Sequence, residues 1–281
     1  MLAVIGTVPM PEGIYEGEAS FEGSSIKLNG VLLPAGMGTM ASAAAALRVL
    51  QHFGSERVYC LLAGDRSGQG SSMLLEKAVH YLPCSGSDTI VLHYMFVLIK
   101  YGEVIRNTLD KMKSKPYLIA DAGGMYLAKA AGIAGVFDLF TPDSGEMAFL
   151  ADPKALHPMY TSPRFFSLPI PDLAESALKH GNAPDNLLVK GRTDFIFAGG
   201  KLNKTVGSPV ITAMEVIGGT GDTVTGIVAA LQHLGIKDFS YKAALLNRLT
   251  GQKTGCTPRT RIGEFIGNLD PALLEKAGVE V

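Results

Sequence analysis

The 281 residues carry 25 Lys and Arg against 26 Asp and Glu, a formal net charge of −1, and 47% of the chain is apolar. Balanced charge without a long basic run argues against nucleic acid as the main partner, while the apolar share supports a sizeable core. Cys60, Cys84 and Cys256 are few, odd in number and far apart, which fits a reducing compartment and gives no zinc spacing. No apolar run reaches ~18 residues, so no membrane span is expected. The first residues lack a basic n-region, so a signal peptide and a membrane partner are not expected and the location expected is cytoplasmic.

Taken in order, residues 2–5 read as a strand and 12–25 as a polar, Gly-rich loop or hairpin. How residues 1–27 sit against the rest is open at this level. Residues 31–34 read as a short buried strand, followed by a turn holding Gly36 and Gly38 and by an Ala-rich helix over 40–52. Glycines in such a strand-turn-helix unit admit a ligand or simply a tight helix-sheet contact. Strands follow at 57–63, 89–94 and 116–120, alternating with helices at 70–81 and 103–112. The run 116–120 is continuously apolar, as for a strand buried on both faces. It ends at Asp121, a candidate for contacting a metal-phosphate or a substrate hydroxyl and equally for capping a helix over 125–131.

A strand at 136–140 leads into Thr141-Pro142-Asp143-Ser144-Gly145-Glu146, where Asp143 or Ser144 can cap a helix over 146–151. Residues 152–171 are rich in proline and polar side chains and read as irregular surface. A helix over 172–180 precedes strands at 186–190 and 194–197, which alternate around Gly191 as a hairpin, and Gly199-Gly200 close a second turn. Helices at 241–253 and 271–277 end the chain. The pattern is that of one α/β domain over 1–281, doubly wound, with a mainly parallel central sheet flanked by helices and an antiparallel hairpin near 186–206.

The most informative stretch is Gly218-Gly219-Thr220-Gly221-Asp222, which runs into an apolar helical pattern. Glycines let backbone N–H groups close on a ligand, and a helix start offers unpaired amides and a partial positive charge. Gly219, Thr220 and Gly221 are therefore candidates for an anion site, most naturally for phosphate. Asp222 is poorly suited to bind an anion and well suited to take a proton from a hydroxyl in phosphoryl transfer. A plain Gly-rich turn with Asp222 as a first-turn acid or N-cap remains the other reading.

These pieces, in this order, resemble the ribokinase-like superfamily, and within it most of all the ADP/ATP-dependent NAD(P)H-hydrate dehydratases. The resemblance spans roughly 28–278 and rests on the 31–50 unit, 118–122, the 141–146 segment, Leu188-Val189-Lys190-Gly191 and 218–226. It implies a ribokinase-like fold, with Asp222 as the acidic residue at the reacting hydroxyl, Gly219 to Gly221 as the anion hole, and Lys190 and Gly191 as nucleotide contacts. It further implies ADP or ATP with Mg²⁺, a small-molecule substrate, and self-association. The chain departs from that family on the substrate side. Asp143-Ser144 stand where the family has His-Pro, and His93-Tyr94-Met95-Phe96-Val97 replace a glycine-rich turn. Gly36, Gly38, His93, Asp121, Asp143 and Glu146 are the substrate-side candidates, and a changed substrate or a lost activity both fit. The six histidines show no metal-ligand spacing among themselves, so no metal ligands are assigned. His93 reads as a packed or capping residue near the cleft, and residues 94–96 as packing. Without the resemblance Lys190 reads as an ordinary solvated lysine.

Overall fold

The computed structural model describes residues 1–55, 57–65 and 67–281. In chain order it contains β1 (Leu2–Val8), β2 (Gly13–Glu22), β3 (Ser25–Leu28), β4 (Val31–Pro34), α1 (Thr39–His52), β5 (Val58–Gly64) and α2 (Gln69–Tyr81). These are followed by β6 (Thr89–Leu92), α3 (Lys100–Lys111), β7 (Tyr117–Ala120), α4 (Gly123–Ala130), β8 (Leu139–Phe140), α5 (Ser144–Ala151) and α6 (Ile170–Lys179). The last part holds β9 (Leu187–Val189), β10 (Asp194–Ala198), β11 (Lys201–Val206), α7 (Thr220–His233), α8 (Phe239–Thr254), α9 (Ile262–Gly267) and α10 (Ala272–Lys276).

The strands form one 11-stranded sheet in the order β11-β10-β9-β8-β7-β6-β1-β5-β2-β3-β4. The stretch from β9 to β5 is parallel throughout, and antiparallel strands extend it at both edges. Side-chain alternation along β1 explains the two layers. Leu2 and Val4 pack into one core with α1, α7 and α8, while Ala3 and Ile5 pack into the other with α2 to α6. The chain leaves β1 for β5 on one side and later crosses to β6 on the other, so the strand order reverses at β1/β6. In open parallel sheets that reversal opens a crevice beyond the carboxyl ends of the strands. His93 directly follows β6 there, and Asp121 directly follows β7.

Several expectations change. Residues 31–34 form a strand, but an edge strand rather than a buried one, with Val31 54% and Leu32 58% exposed. Four apolar residues in a row give no periodicity from which exposure can be read. Of the two readings of residues 12–25 the hairpin holds: β2 pairs with β5 and turns back as β3. The strand at 136–140 shrinks to Leu139–Phe140, because residues 134–136 take a short 3-10 turn. The helix α9 carries no clear signal in the sequence. Tyr94 and Phe96 are 45% and 59% exposed, so only Met95 of that trio is packing. The hairpin around Gly191 and the second turn at 199–200 stand as expected.

Candidate active site

Two helix starts meet at the crevice. Gly219 is the N-cap of α7 and Gly38 that of α1, with φ of 105° and 77°. Both conformations favour glycine. At Gly219 a Cβ would also sit 2.7 Å from Ile262. Across the junction the Gly38 amide donates to Asp222 Oδ2 at 2.7 Å. Asp222 is thus oriented by a neighbouring backbone N–H and is not an N-cap of its own helix, which leaves its Oδ1 facing inward. Gly36 lies just before this junction, and its built Cβ meets only its own turn, the Pro34 carbonyl at 3.9 Å.

Asp121 does not cap α4 as it was expected it could; Ala122 is the N-cap, with no side-chain bond. Ala122 holds a φ of 47°, and its amide donates to Asp121 Oδ1 at 2.9 Å. A non-glycine residue at positive φ stores strain of the kind that collects at functional sites. The Asp121 carboxylate takes the Lys190 ammonium on both oxygens at 3.0 Å and the Thr225 hydroxyl on Oδ2. Thr225 comes from α7 and touches Thr141 Oγ1 at 2.8 Å. Lys190 is therefore a buried ion-pair member rather than a solvated lysine. Burial pulls its ammonium down, but Asp121, Glu146 and Asp222 outweigh that and hold it above its ordinary value. Burial pushes Asp121 up, yet Lys190, His93 and Thr225 hold it below the usual carboxylate range.

His93 lies between the two carboxylates and is fully buried. Its Nε2 is 3.5 Å from Asp121 Oδ2 and 3.6 Å from Asp222 Oδ1, too long for a hydrogen bond. Neither ring nitrogen has a hydrogen-bond partner among the described residues. Burial lowers its pKa, and this outweighs the pull of Asp121 and Asp222 toward the charged form.

On the other side of Lys190 a cleft of about 510 Å³ opens, lined in part by Lys190, Gly191, Thr220, Gly221, Asp143 and Asn247. Gly221 faces Lys190 closely, since a Cβ there would lie 3.8 Å from the ammonium. In the first turn of α7 the Thr220 amide donates to the Ile217 carbonyl at 3.4 Å and the Thr223 amide to the Gly219 carbonyl at 2.9 Å, which leaves the amides of Gly221 and Asp222 for a ligand. The hairpin wall of the cleft is fastened by Arg248 of α8. It donates to Asp194 Oδ2 at 2.7 Å and to the Gly191 and Arg192 carbonyls at 2.8 and 3.0 Å. Arg248 escaped sequence reasoning because it lies mid-helix, far along the chain from the residues it holds. Asn247, which donates to the Thr220 carbonyl at 3.0 Å, escaped for the same reason.

Asp143 is the N-cap of α5 and forms a capping box with Glu146, as the sequence suggested for Asp143. Glu146 also accepts from the Tyr126 hydroxyl at 2.6 Å. Its carboxyl is engaged by this box and by Tyr126. The structure thus gathers His93, Asp121, Lys190, Asp222 and Gly38 in one cluster, puts Gly191, Thr220, Gly221 and Asp143 on the cleft, and gives Glu146 a local role beside it. Gly226, part of the same motif, is a packing glycine: a Cβ there would lie 2.0 Å from the Ser42 carbonyl of α1.

No protein-family model matches the chain. It is 37% identical over 237 residues to the uncharacterized protein MJ1337 of Methanocaldococcus jannaschii, covering 82% of this chain and 96% of that one. A shorter stretch of 70 residues is 43% identical to the bifunctional NAD(P)H-hydrate repair enzyme Nnr of Methanothermobacter thermautotrophicus, 24% of this chain and 12% of that protein. Among solved structures, the hypothetical protein SMU.573 of Streptococcus mutans matches with a TM-score of 0.56 and 16% identity, over 98% of this chain and 89% of that one. The ribokinase of Giardia lamblia matches with a TM-score of 0.54 and 12% identity, over 98% and 100%. With its parallel sheet, edge extensions and crevice in place, the chain has the ribokinase-like fold and belongs to the family of the archaeal protein MJ1337.

Proposed function

We propose that the protein is a nucleotide-dependent enzyme that acts on a substrate hydroxyl, and that hydrated NAD(P)H is its first candidate substrate. One observation carries the reading. The inward carboxylate of Asp222 and the open amides at Gly221 belong to the same helix turn, beside the cleft that Lys190 borders. Phosphoryl chemistry needs that pairing of a base with a cradle for phosphate charge. The stretch of 70 residues shared with the NAD(P)H-hydrate repair enzyme Nnr favours the hydrate.

The residues present fit a nucleotide. Gly221 has no Cβ to fill the cradle next to the Lys190 ammonium, and Arg248 keeps the hairpin wall in place. Mg²⁺ accompanies phosphates through few protein ligands and retained waters. Asp143, exposed at the cleft, is the carboxylate we assign to it. When bound, that ion neutralises charge on the transferring phosphoryl group. In this reading the Gly38 amide orients Asp222, Asp222 takes the hydroxyl proton, the Gly221 and Asp222 amides hold phosphate oxygens, and Lys190 balances Asp121.

A second reading, a small-molecule kinase, is favoured by the substrate side. Tyr94 lies against Gly38, where an added Cβ would meet its ring at 3.4 Å. Bulk there differs from the glycine turn of the hydrate dehydratases and suits another alcohol. The test incubates the protein with ATP or ADP, Mg²⁺ and hydrated NADH, following return of reduced-nicotinamide absorbance, with an acceptor screen by mass spectrometry in parallel. Restored NADH that depends on nucleotide supports the first reading. A phosphorylated acceptor without repair moves the assignment to the second. Neither product, from protein that binds ATP, overturns both.

A further inference from the structure

The cluster at the sheet reversal contains a buried polar group that nothing so far explains. His93 is fully buried and its two ring nitrogens lack hydrogen-bond partners among the described residues. An unpaired buried nitrogen is costly, and each such group in a folded protein calls for a role, a water or an ion. The His93 ring is aimed at the two carboxylates, with Nε2 3.5 Å from Asp121 and 3.6 Å from Asp222. One ring nitrogen and one oxygen of each carboxylate all lie within 4.8 Å of one another.

We propose that His93, Asp121 and Asp222 form a binding site for a first-row divalent transition ion such as Co²⁺, Mn²⁺ or Zn²⁺. Spacing is the first argument. An ion with bonds of ~2.1 Å holds tetrahedral ligands roughly 3.4 Å apart, close to the two distances found. Charge is the second. The cluster sets two acidic side chains around one ammonium, and Lys190 gives its contacts at 3.0 Å to both oxygens of Asp121, so Asp222 faces His93 without that partner. Ligand type is the third. An imidazole nitrogen with carboxylate oxygens suits transition ions, whereas Mg²⁺ and Ca²⁺ take oxygen ligands. The surroundings also fix the ligands. The Gly38 amide orients Asp222 and the Ala122 amide and Thr225 hydroxyl orient Asp121, the supporting bonds a metal site needs.

This site is separate from the one assigned to the nucleotide's Mg²⁺, and its existence does not depend on the phosphoryl-transfer reading. The experiment titrates Co²⁺ and Zn²⁺ into chelator-treated full-length protein without nucleotide, by visible absorption for cobalt and by calorimetry for zinc. The expected result is one ion per chain, with affinity at least ~10-fold weaker in His93→Ala and in Asp222→Asn. Both variants are checked for native melting, and Asp222→Asn, being conservative, keeps the test valid should His93→Ala fail to fold. Absence of binding by the wild type, or unchanged affinity in the folded variants, overturns the proposal. Because the readout is binding alone, loss of catalysis elsewhere leaves it unaffected.

Discussion

At the scale of single residues, one carboxylate and one carboxyl carry separable consequences. Asp222 is held by the Gly38 amide on one oxygen, so Asp222→Asn keeps the shape of the turn while removing the base. We expect turnover to fall about 10²- to 10⁴-fold with nucleotide affinity little changed, measured by steady-state rate beside nucleotide titration. Glu146 behaves differently. Burial raises its pKa from 4.5 to about 7; Lys190 opposes this, and Asp121 and Asp143 add to it, while the Tyr126 hydroxyl donates to it and pulls downward. Between about pH 4.5 and 7 the folded protein therefore keeps a proton that the unfolded chain has released. Stability from this group is present below that window and falls as pH rises through it. Urea midpoints across the window should decline in the wild type and decline less in Glu146→Gln.

At the scale of elements, the pairing of α1 with α7 sets the site, because Gly38 starts one helix and Asp222 lies in the first turn of the other. Their close approach rests on Gly226 against the Ser42 carbonyl. Gly226→Ala forces the two backbones apart, and the overpacking should cost about 1–3 kcal/mol, seen as a lower melting temperature. The same element shows how far a sequence reading goes. The Gly218-to-Asp222 turn was legible because glycines ahead of an apolar helical pattern have few explanations. Gly226 lies in the same motif, but its packing duty is invisible in the sequence, since the residue it faces lies 184 positions earlier. Lys190 and Asp121 were both named as candidates, yet their ion pair was not, because neither local pattern points to the other. His93 was read as packed, which its burial bears out; that two carboxylates face it could not be read from histidine spacing.

At the scale of the whole molecule, the sheet runs without interruption from β11 to β4, and α1, α7 and α8 share one core while α2 to α6 share the other. We propose that 1–281 is a single domain, and calorimetry should show one cooperative transition whose van't Hoff and calorimetric enthalpies agree. Nucleotide that binds only the folded state raises that transition by mass action, by about 2.7 kcal/mol at one hundred times its Kd. Two separated transitions, or a rise for only one of two, would assign the cleft to a smaller unit. Among the described residues no helix is long and apolar enough to cross a membrane.

The sequence by itself determined the alternation of strands and helices, the antiparallel hairpin near 186–206 and the glycine turn before α7. Each is local: it follows from periodicity, capping and the backbone freedom of glycine over a few neighbouring residues. Only the tertiary structure decided that β1 would sit at the centre of the sheet, that residues 31–34 would lie at its edge, and that Arg248 would fasten the hairpin. It also decided that His93, Asp121, Lys190 and Asp222 would share one buried cluster. Those outcomes depend on strand order and helix packing, which join residues from tens to more than a hundred positions apart and leave no periodic mark on the chain between them.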